Sequence, residues 1–172
     1  MKTYLSLFAG IGGADLASKD WRCLGYVENE DYCQRLLAQR IKDGHLHNAP
    51  IFGDIKAFVN QGYAASYKGL VDAIVAGFPC QPFSHAGTRQ DAKDDRNLWP
   101  QTLQCVRICR PLELYLENVP MLIICGYFHV ILCDLAQVGY NVEWQVVQAS
   151  QAGARHKRAR LWIKALAYAN GQ

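Results

Sequence analysis

Five strand-length apolar runs in this chain each end on residues able to bind a ligand or carry chemistry, and that repetition most constrains the fold. "TYLSLFA" ends in the glycines of "GIGG", "RCLGYVEN" closes on Glu28 and Asn29, and "APIFGDI" reaches Asp54. "LVDAIVAGF" leads into Cys80, and "PLELYLENVP" carries Glu117 near its end. Helix-compatible stretches lie between these runs. "ADLASKDW" follows the glycines. "EDYCQRLLAQRIKDG" puts Tyr32, Leu36, Leu37 and Ile41 on one helical face and stops at Gly44. "LWPQTLQCVRICR" predicts a helix with Pro100 in its first turn, where a missing N–H costs little. "FHVILCDLAQVG" predicts another that stops at Gly139, "QDAKDDRN" reads as a polar loop, and "YNVEWQVVQA" and "RLWIKALAYA" predict two more strands. Alternating β and α units imply the α/β class, a mostly parallel sheet covered by helices. The fourth run is apolar nearly throughout, as a strand buried on both faces should be. In such sheets ligands bind at the carboxyl ends of the strands, where these residues fall.

At 172 residues, 51% hydrophobic and 19% charged, the chain is sized for one domain with a substantial core. A net charge of +3 neither demands nor excludes nucleic acid, because binding depends on where the charge sits. No apolar run approaches the roughly 18–20 residues of a membrane span. The N-terminus lacks the apolar core and cleavage site of a signal peptide, so the chain reads as cytoplasmic. Its seven cysteines contain no C-x-x-C pair, and Cys105 and Cys109, at helical spacing, have no companion Cys/His pair close by. The reading is no metal and reduced, mostly buried thiols.

Each strand end admits two readings. "FAGIGG", Phe8 to Gly13, is either a tight turn or a nucleotide cradle, and it is not the G-x-G-x-x-G of pyrophosphate binding. Glu28 is a solvated charge or an acceptor for ribose hydroxyls. Asp54 is a helix N-cap or an acceptor for an adenine amino proton. In this order the three favour an adenosine-containing ligand without a pyrophosphate. Cys80, between Pro79 and Pro82, is a buried structural thiol or a nucleophile held in one orientation. Glu117 ends an apolar strand, where an acid is costly unless used or paired. "GARHKRARLW", Gly153 to Trp162, is the one dense basic cluster, either a solvated face or a set of phosphate and base contacts, with Arg158 and Arg160 on the same face of a strand entry.

Taken in order, "FAGIGG", "GFPCQPFS", "ENVP" and "RHKRAR" resemble the DNA cytosine-C5 methyltransferases, over essentially the whole chain from Leu5 to about Ile163. The resemblance implies a Rossmann-like methyltransferase fold: a twisted, mostly parallel sheet with helices on both faces and an antiparallel strand near the C-terminus. It implies S-adenosylmethionine as cofactor, with S-adenosylhomocysteine as product. The cofactor would be held by Phe8, Ala9, Gly10, Ile11, Gly12, Gly13, Glu28, Asn29, Asp54, Ile55, Pro79 and Leu98. DNA would be the substrate, a cytosine being flipped out of the duplex. Cys80 would attack C6, Glu117 would hold or protonate N3, Arg158 and Arg160 would position the base, and Gln81 and Ser84 would contact the DNA.

Two departures from the family pattern stand out. His156 occupies a position where Gln is common, a tolerable change. Residues 1–172 correspond to the catalytic domain alone, whereas family members continue into a target-recognition domain and a final segment that completes the cofactor pocket and the sheet. The expectation is an apolar edge left exposed, weak cofactor binding by the chain alone, and a second polypeptide supplying target recognition and the final segment. The competing readings are a non-catalytic module that binds cofactor, DNA or protein, and a nicotinamide-dependent enzyme. The second would show itself by binding a dinucleotide more tightly than S-adenosylmethionine.

Overall fold

The computed structural model describes residues 1–79 and 97–168. Cys80, Gln81 and Ser84, with most of the "QDAKDDRN" loop, lie outside the described residues. Seven strands form one sheet: β1 (Thr3–Leu7), β2 (Arg22–Val27), β3 (Ile51–Phe52), β4 (Ala73–Ala76), β5 (Glu113–Asn118), β6 (Tyr140–Gln148) and β7 (Ala159–Ala167). Their order is β3-β2-β1-β4-β5-β7-β6. The first five strands run parallel, and β7 lies antiparallel between β5 and β6. The predicted architecture, with its antiparallel element near the C-terminus, is the observed one.

Among the described residues, six helices connect the strands: α1 (Gly13–Ala17), α2 (Asp31–Lys42), α3 (Ile55–Asn60), α4 (Trp99–Cys109), α5 (Met121–Ile124) and α6 (Tyr127–Gln137). Strand side chains alternate between two apolar layers. Leu5, Leu7, Ile74, Leu114, Leu116, Leu161, Ile163 and Ala165 face α3, α4 and α6, whose Phe58, Trp99, Val106, Phe128, Ile131 and Leu135 complete that layer. Tyr4, Tyr26, Ala73 and Val75 face the other way, against Leu37 of α2 and Leu16 of α1. β4 is buried on both faces, as its composition predicted.

One sequence expectation needs correcting. The buried stripe of α2 is Cys33 and Leu37, with Ile41 at its edge, while Tyr32 is 61% exposed. The helix is rotated because its apolar face follows β2 and the glycine turn rather than its largest side chain. α3 and a 3-10 turn at Tyr63–Tyr67 lie between β3 and β4, where the sequence shows no clear period. The described cysteines are mostly buried, as expected: Cys23, Cys33, Cys105 and Cys109 are buried, and Cys125 and Cys133 exposed. No helix of the described residues is long and apolar enough to cross a membrane.

Candidate active site

Parallel strands deliver their carboxyl ends to one rim, and the sheet order reverses between β1 and β4, opening a crevice there. The antiparallel β7 brings its beginning, not its end, to the same rim. Residues from distant parts of the sequence therefore meet: the turn after β1, Glu28 after β2, Asp54 after β3, Gly77 to Pro79 after β4, Glu117 in β5 and Arg160 in β7.

The turn after β1 is the most contorted stretch of backbone among the described residues. Phe8, Gly10 and Gly12 have φ of 54°, 55° and 80°. For Phe8 this left-handed conformation costs roughly 1–2 kcal/mol, so its surroundings must impose it. Ala9 N–H donates to Val27 O (3.1 Å), and Gly12 N–H donates to Ala9 O (2.8 Å). Gly10 N–H donates to Glu28 Oε2 at 2.7 Å, and the other oxygen of Glu28 accepts from Glu30 N–H at 2.8 Å. Arg40 of α2 donates to the Ile11 carbonyl. The turn is thus fastened to β2 and α2.

The glycines differ in purpose. A Cβ on Gly10 would meet nothing within 4 Å, so its left-handed backbone rather than packing calls for glycine there. A Cβ on Gly12 would come within 2.8 Å of Leu46 Cδ1 and 3.1 Å of Leu37 Cδ2, so Gly12 serves close packing on α2. Ile11, 46% exposed, presents its carbonyl to Arg40.

Two clefts share Phe8 and Gly77. The smaller, of about 360 Å³, gathers Phe8, Glu28, Asn29, Asp54, Ile55, Pro79 and Leu98. These are seven of the residues expected to hold a cofactor, and the adjacent carboxylates suit hydroxyl and amino donors. Asp54 also caps α3, its Oδ1 accepting from Lys56 N–H at 2.9 Å, while it lines this cleft. Gly10, Ile11 and Gly12 do not line either cleft. The larger cleft, of about 650 Å³, runs from Ala9 and Gly13 past Gly77 to Glu117, Arg158, Arg160 and Trp162.

Glu117 does not stand alone there. Arg160 Nε lies 2.6 Å from its Oε1, and Arg160 Nη1 also donates to the Ala159 carbonyl at 2.8 Å. Glu117 pairs with Trp162 across the antiparallel ladder, which puts Arg160 diagonally beside it on the same face. A Cβ on Gly77 would sit 3.4 Å from Glu117 Oε2, so the carboxylate lies against the backbone that leads to Cys80. Arg158 lines the same cleft but is exposed, as are Arg155, His156 and Lys157 before it.

One residue the sequence reading passed over is Asn118. It is 3% exposed, and its Nδ2 donates to the Phe78 carbonyl at 3.0 Å, two residues before Cys80. Phe78 packs on Trp99, with ring centroids 5.3 Å apart. Asn97 Nδ2 donates to Tyr127 Oη at 2.7 Å. Both flanks of the segment holding Cys80 are thus anchored to the folded body. The hint was a polar amide at a buried position of an alternating strand, beside the more conspicuous Glu117.

Residues 2–170 match the model of the C-5 cytosine-specific DNA methylase family. The chain belongs to that family. It is 33% identical over 167 residues to the type II methyltransferase M.BsuFI of Bacillus subtilis, covering 94% of this chain and 38% of that protein. It is 30% identical over 170 residues to M.NgoMIV of Neisseria gonorrhoeae, covering 95% and 51%. The chain therefore spans about half, or less, of these relatives. Among solved structures, a Spodoptera frugiperda DNMT2 variant superposes with a TM-score of 0.78 at 19% identity, covering 99% of this chain and 51% of that one. A precorrin-6y C5,15-methyltransferase from Geobacter metallireducens, 14% identical, reaches 0.60 over 97% of this chain and 80% of that one. The fold is thus shared with methyltransferases of unrelated substrates, and the motifs rather than the topology carry the family.

Proposed function

We propose that this chain is the catalytic domain of an enzyme that methylates C5 of cytosine in DNA, with S-adenosylmethionine as donor. The observation that carries the reading is the Glu117–Arg160 pair, 2.6 Å apart beside Gly77 and adjoining the glycine turn. The residues at the rim fit the cofactor: the smaller cleft offers Glu28 and Asp54 as acceptors, with Phe8, Ile55, Pro79 and Leu98 as apolar walls. Bound S-adenosylmethionine supplies a methyl group on a sulfonium, an electrophile for an electron-rich carbon.

The chain's own residues make cytosine C5 such a carbon. Cys80, carried over from the family resemblance, adds as thiolate to C6 of a flipped base. Glu117 holds or protonates N3, so the ring accepts the electrons of the new bond. Arg160 fixes the carboxyl in place, and Arg158 lies where it can meet the base or its phosphate. Loss of the C5 proton after methylation then expels Cys80. Gln81 and Ser84 contact the DNA. The names of the relatives, type II methyltransferases, support a restriction–modification setting.

A partner belongs to this reading. Trp162 and Leu166 are 44% and 38% exposed on the sheet face opposite Leu161, Ile163 and Ala165. Lys164, Glu143 and Gln145 share that mixed face, which suits a second polypeptide that also brings target recognition. The deciding experiment is covalent trapping on DNA containing 5-fluorocytosine, with S-adenosylmethionine, in the presence and absence of candidate partner chains. An adduct lost in Cys80→Ser is expected with the partner present. No adduct under any condition would leave a non-catalytic module.

A further inference from the structure

Asp15 is the one carboxyl side chain among the described residues that is buried, at 4% exposure. It is not a helix cap: α1 begins from Gly12 without a side-chain cap bond. Both its oxygens turn instead to β1. Oδ1 accepts from Tyr4 Oη at 3.0 Å, and Oδ2 accepts from Ser6 Oγ at 3.2 Å. Tyr4 and Ser6 are two apart on the same strand, so they share one face of the sheet. Tyr4 is fully buried and meets Trp21 edge-on, with centroids 6.3 Å apart. Ser6 is 2% exposed and lines the larger cleft.

Between that strand and that helix lies the Phe8–Gly12 turn, with three left-handed residues in five positions. A backbone so contorted persists only where its surroundings over-determine it. Bonds to Val27, Glu28 and Arg40 fasten the turn to β2 and α2. The side chain of Asp15 adds the tie between the two ends of the turn itself. We propose that Asp15 is a positioning residue for the cofactor turn, fixing α1 against β1 through Tyr4 and Ser6 and thereby setting the shape of Phe8–Gly12.

This inference rests on the cofactor reading only for its consequence in binding. Its structural half stands alone. Burial pushes the carboxyl of Asp15 above its ordinary value, with Tyr4 and Ser6 of β1, Cys23 and Tyr26 of β2 and His47 as the groups around it. The role works through hydrogen bonds, so a neutral isostere should serve. In Asp15→Asn the side-chain oxygen can accept from Tyr4 while the amide donates to the Ser6 hydroxyl, which can also accept. Asp15→Ala leaves both hydroxyls without their partner.

Hydrogen exchange of the wild-type chain and both variants, without cofactor, tests the positioning directly. In Asp15→Ala the amides of residues 8–13 should exchange about tenfold faster, with β6 and β7 unchanged, while Asp15→Asn stays near wild type. Calorimetric titration with S-adenosylhomocysteine should show about tenfold weaker binding for Asp15→Ala and a change of less than about threefold for Asp15→Asn. If Asp15→Ala does not fold, Tyr4→Phe, which removes one of the two donors, should move both measurements the same way by less. Wild-type exchange in the turn of the alanine variant would overturn the inference, as would an equal loss of protection in β6 and β7. A wild-type chain that does not bind S-adenosylhomocysteine even with its partner present would sink the cofactor reading, while local exchange in the turn would still uphold the role of Asp15.

Discussion

At the scale of single residues, the site consists of groups whose partners are far away in sequence. Glu117 was conspicuous as an acid closing an apolar strand, but its pairing with Arg160 depends on the antiparallel register of β5 and β7. Replacing it by Gln keeps the shape and removes the acid. In the enzyme with its partner, Glu117→Gln should lower methyl transfer about a hundredfold or more, with DNA binding retained, as read by tritiated methyl incorporation and gel shift. Asn118 is the complementary case. Its amide meets a carbonyl 40 residues away, and no local pattern announces that contact. Asn118→Asp would set a carboxylate oxygen against the Phe78 carbonyl in a buried site. A loss of roughly 1–3 kcal/mol is expected in urea unfolding, together with slower trapping on 5-fluorocytosine DNA.

At the scale of elements, legibility followed length and periodicity. β1, β2, β4, β5, α4 and α6 were all visible as runs with a clear period and a stop signal. α3 was not, because a helix of six residues offers too little pattern. Its one sign was Asp54, read as a possible N-cap without a helix to follow it. The rotated face of α2 escaped for a different reason: periodicity narrows the choice of face, but the neighbours decide between Tyr32 and Cys33. The glycine turn was recognisable as a turn, yet its division of labour needed coordinates. Gly12→Ala should cost about 2 kcal/mol, since it adds a clash 2.8 Å from Leu46 Cδ1 to backbone strain. Gly10→Ala should cost about 1 kcal/mol, strain alone, because its Cβ meets nothing. Urea unfolding of the pair separates a packing glycine from a conformational one.

At the scale of the whole molecule, stability and chemistry occupy opposite ends of the sheet. Remote from the rim, Asp72 accepts from Thr3 N–H at 2.7 Å and Thr3 Oγ1 at 3.0 Å, and Lys2 donates to Glu113 Oε1 at 2.8 Å. The backbone bond from Thr3 holds Asp72 below its ordinary value, and the Lys2 bond does the same for Glu113. Their stabilisation is present above the ordinary carboxylate range and is lost as pH falls through the depressed values. Asp15 has the opposite sign: raised by burial, its contribution is full below its ordinary value and fades as pH rises through the raised one. Urea midpoints should therefore fall on acidification towards pH 3, and Asp72→Asn should flatten that fall without altering cofactor binding at neutral pH. The open sheet face makes the last prediction. Trp162 stands exposed on the wall of the larger cleft, beside the β6 end at Val147 and Gln148, while Leu166 lies at the remote end of β7 opposite Glu113. With Trp162 exposed at its edge, the cleft is open to water, which competes for polar contacts to a ligand there. The 172-residue polypeptide alone should bind S-adenosylmethionine weakly and transfer little methyl to duplex DNA. A partner seated on this face should blue-shift the tryptophan fluorescence and restore transfer, and Trp162→Asp should abolish both effects. Methylation at rates typical of the family by the lone chain would show that the cleft needs no second wall.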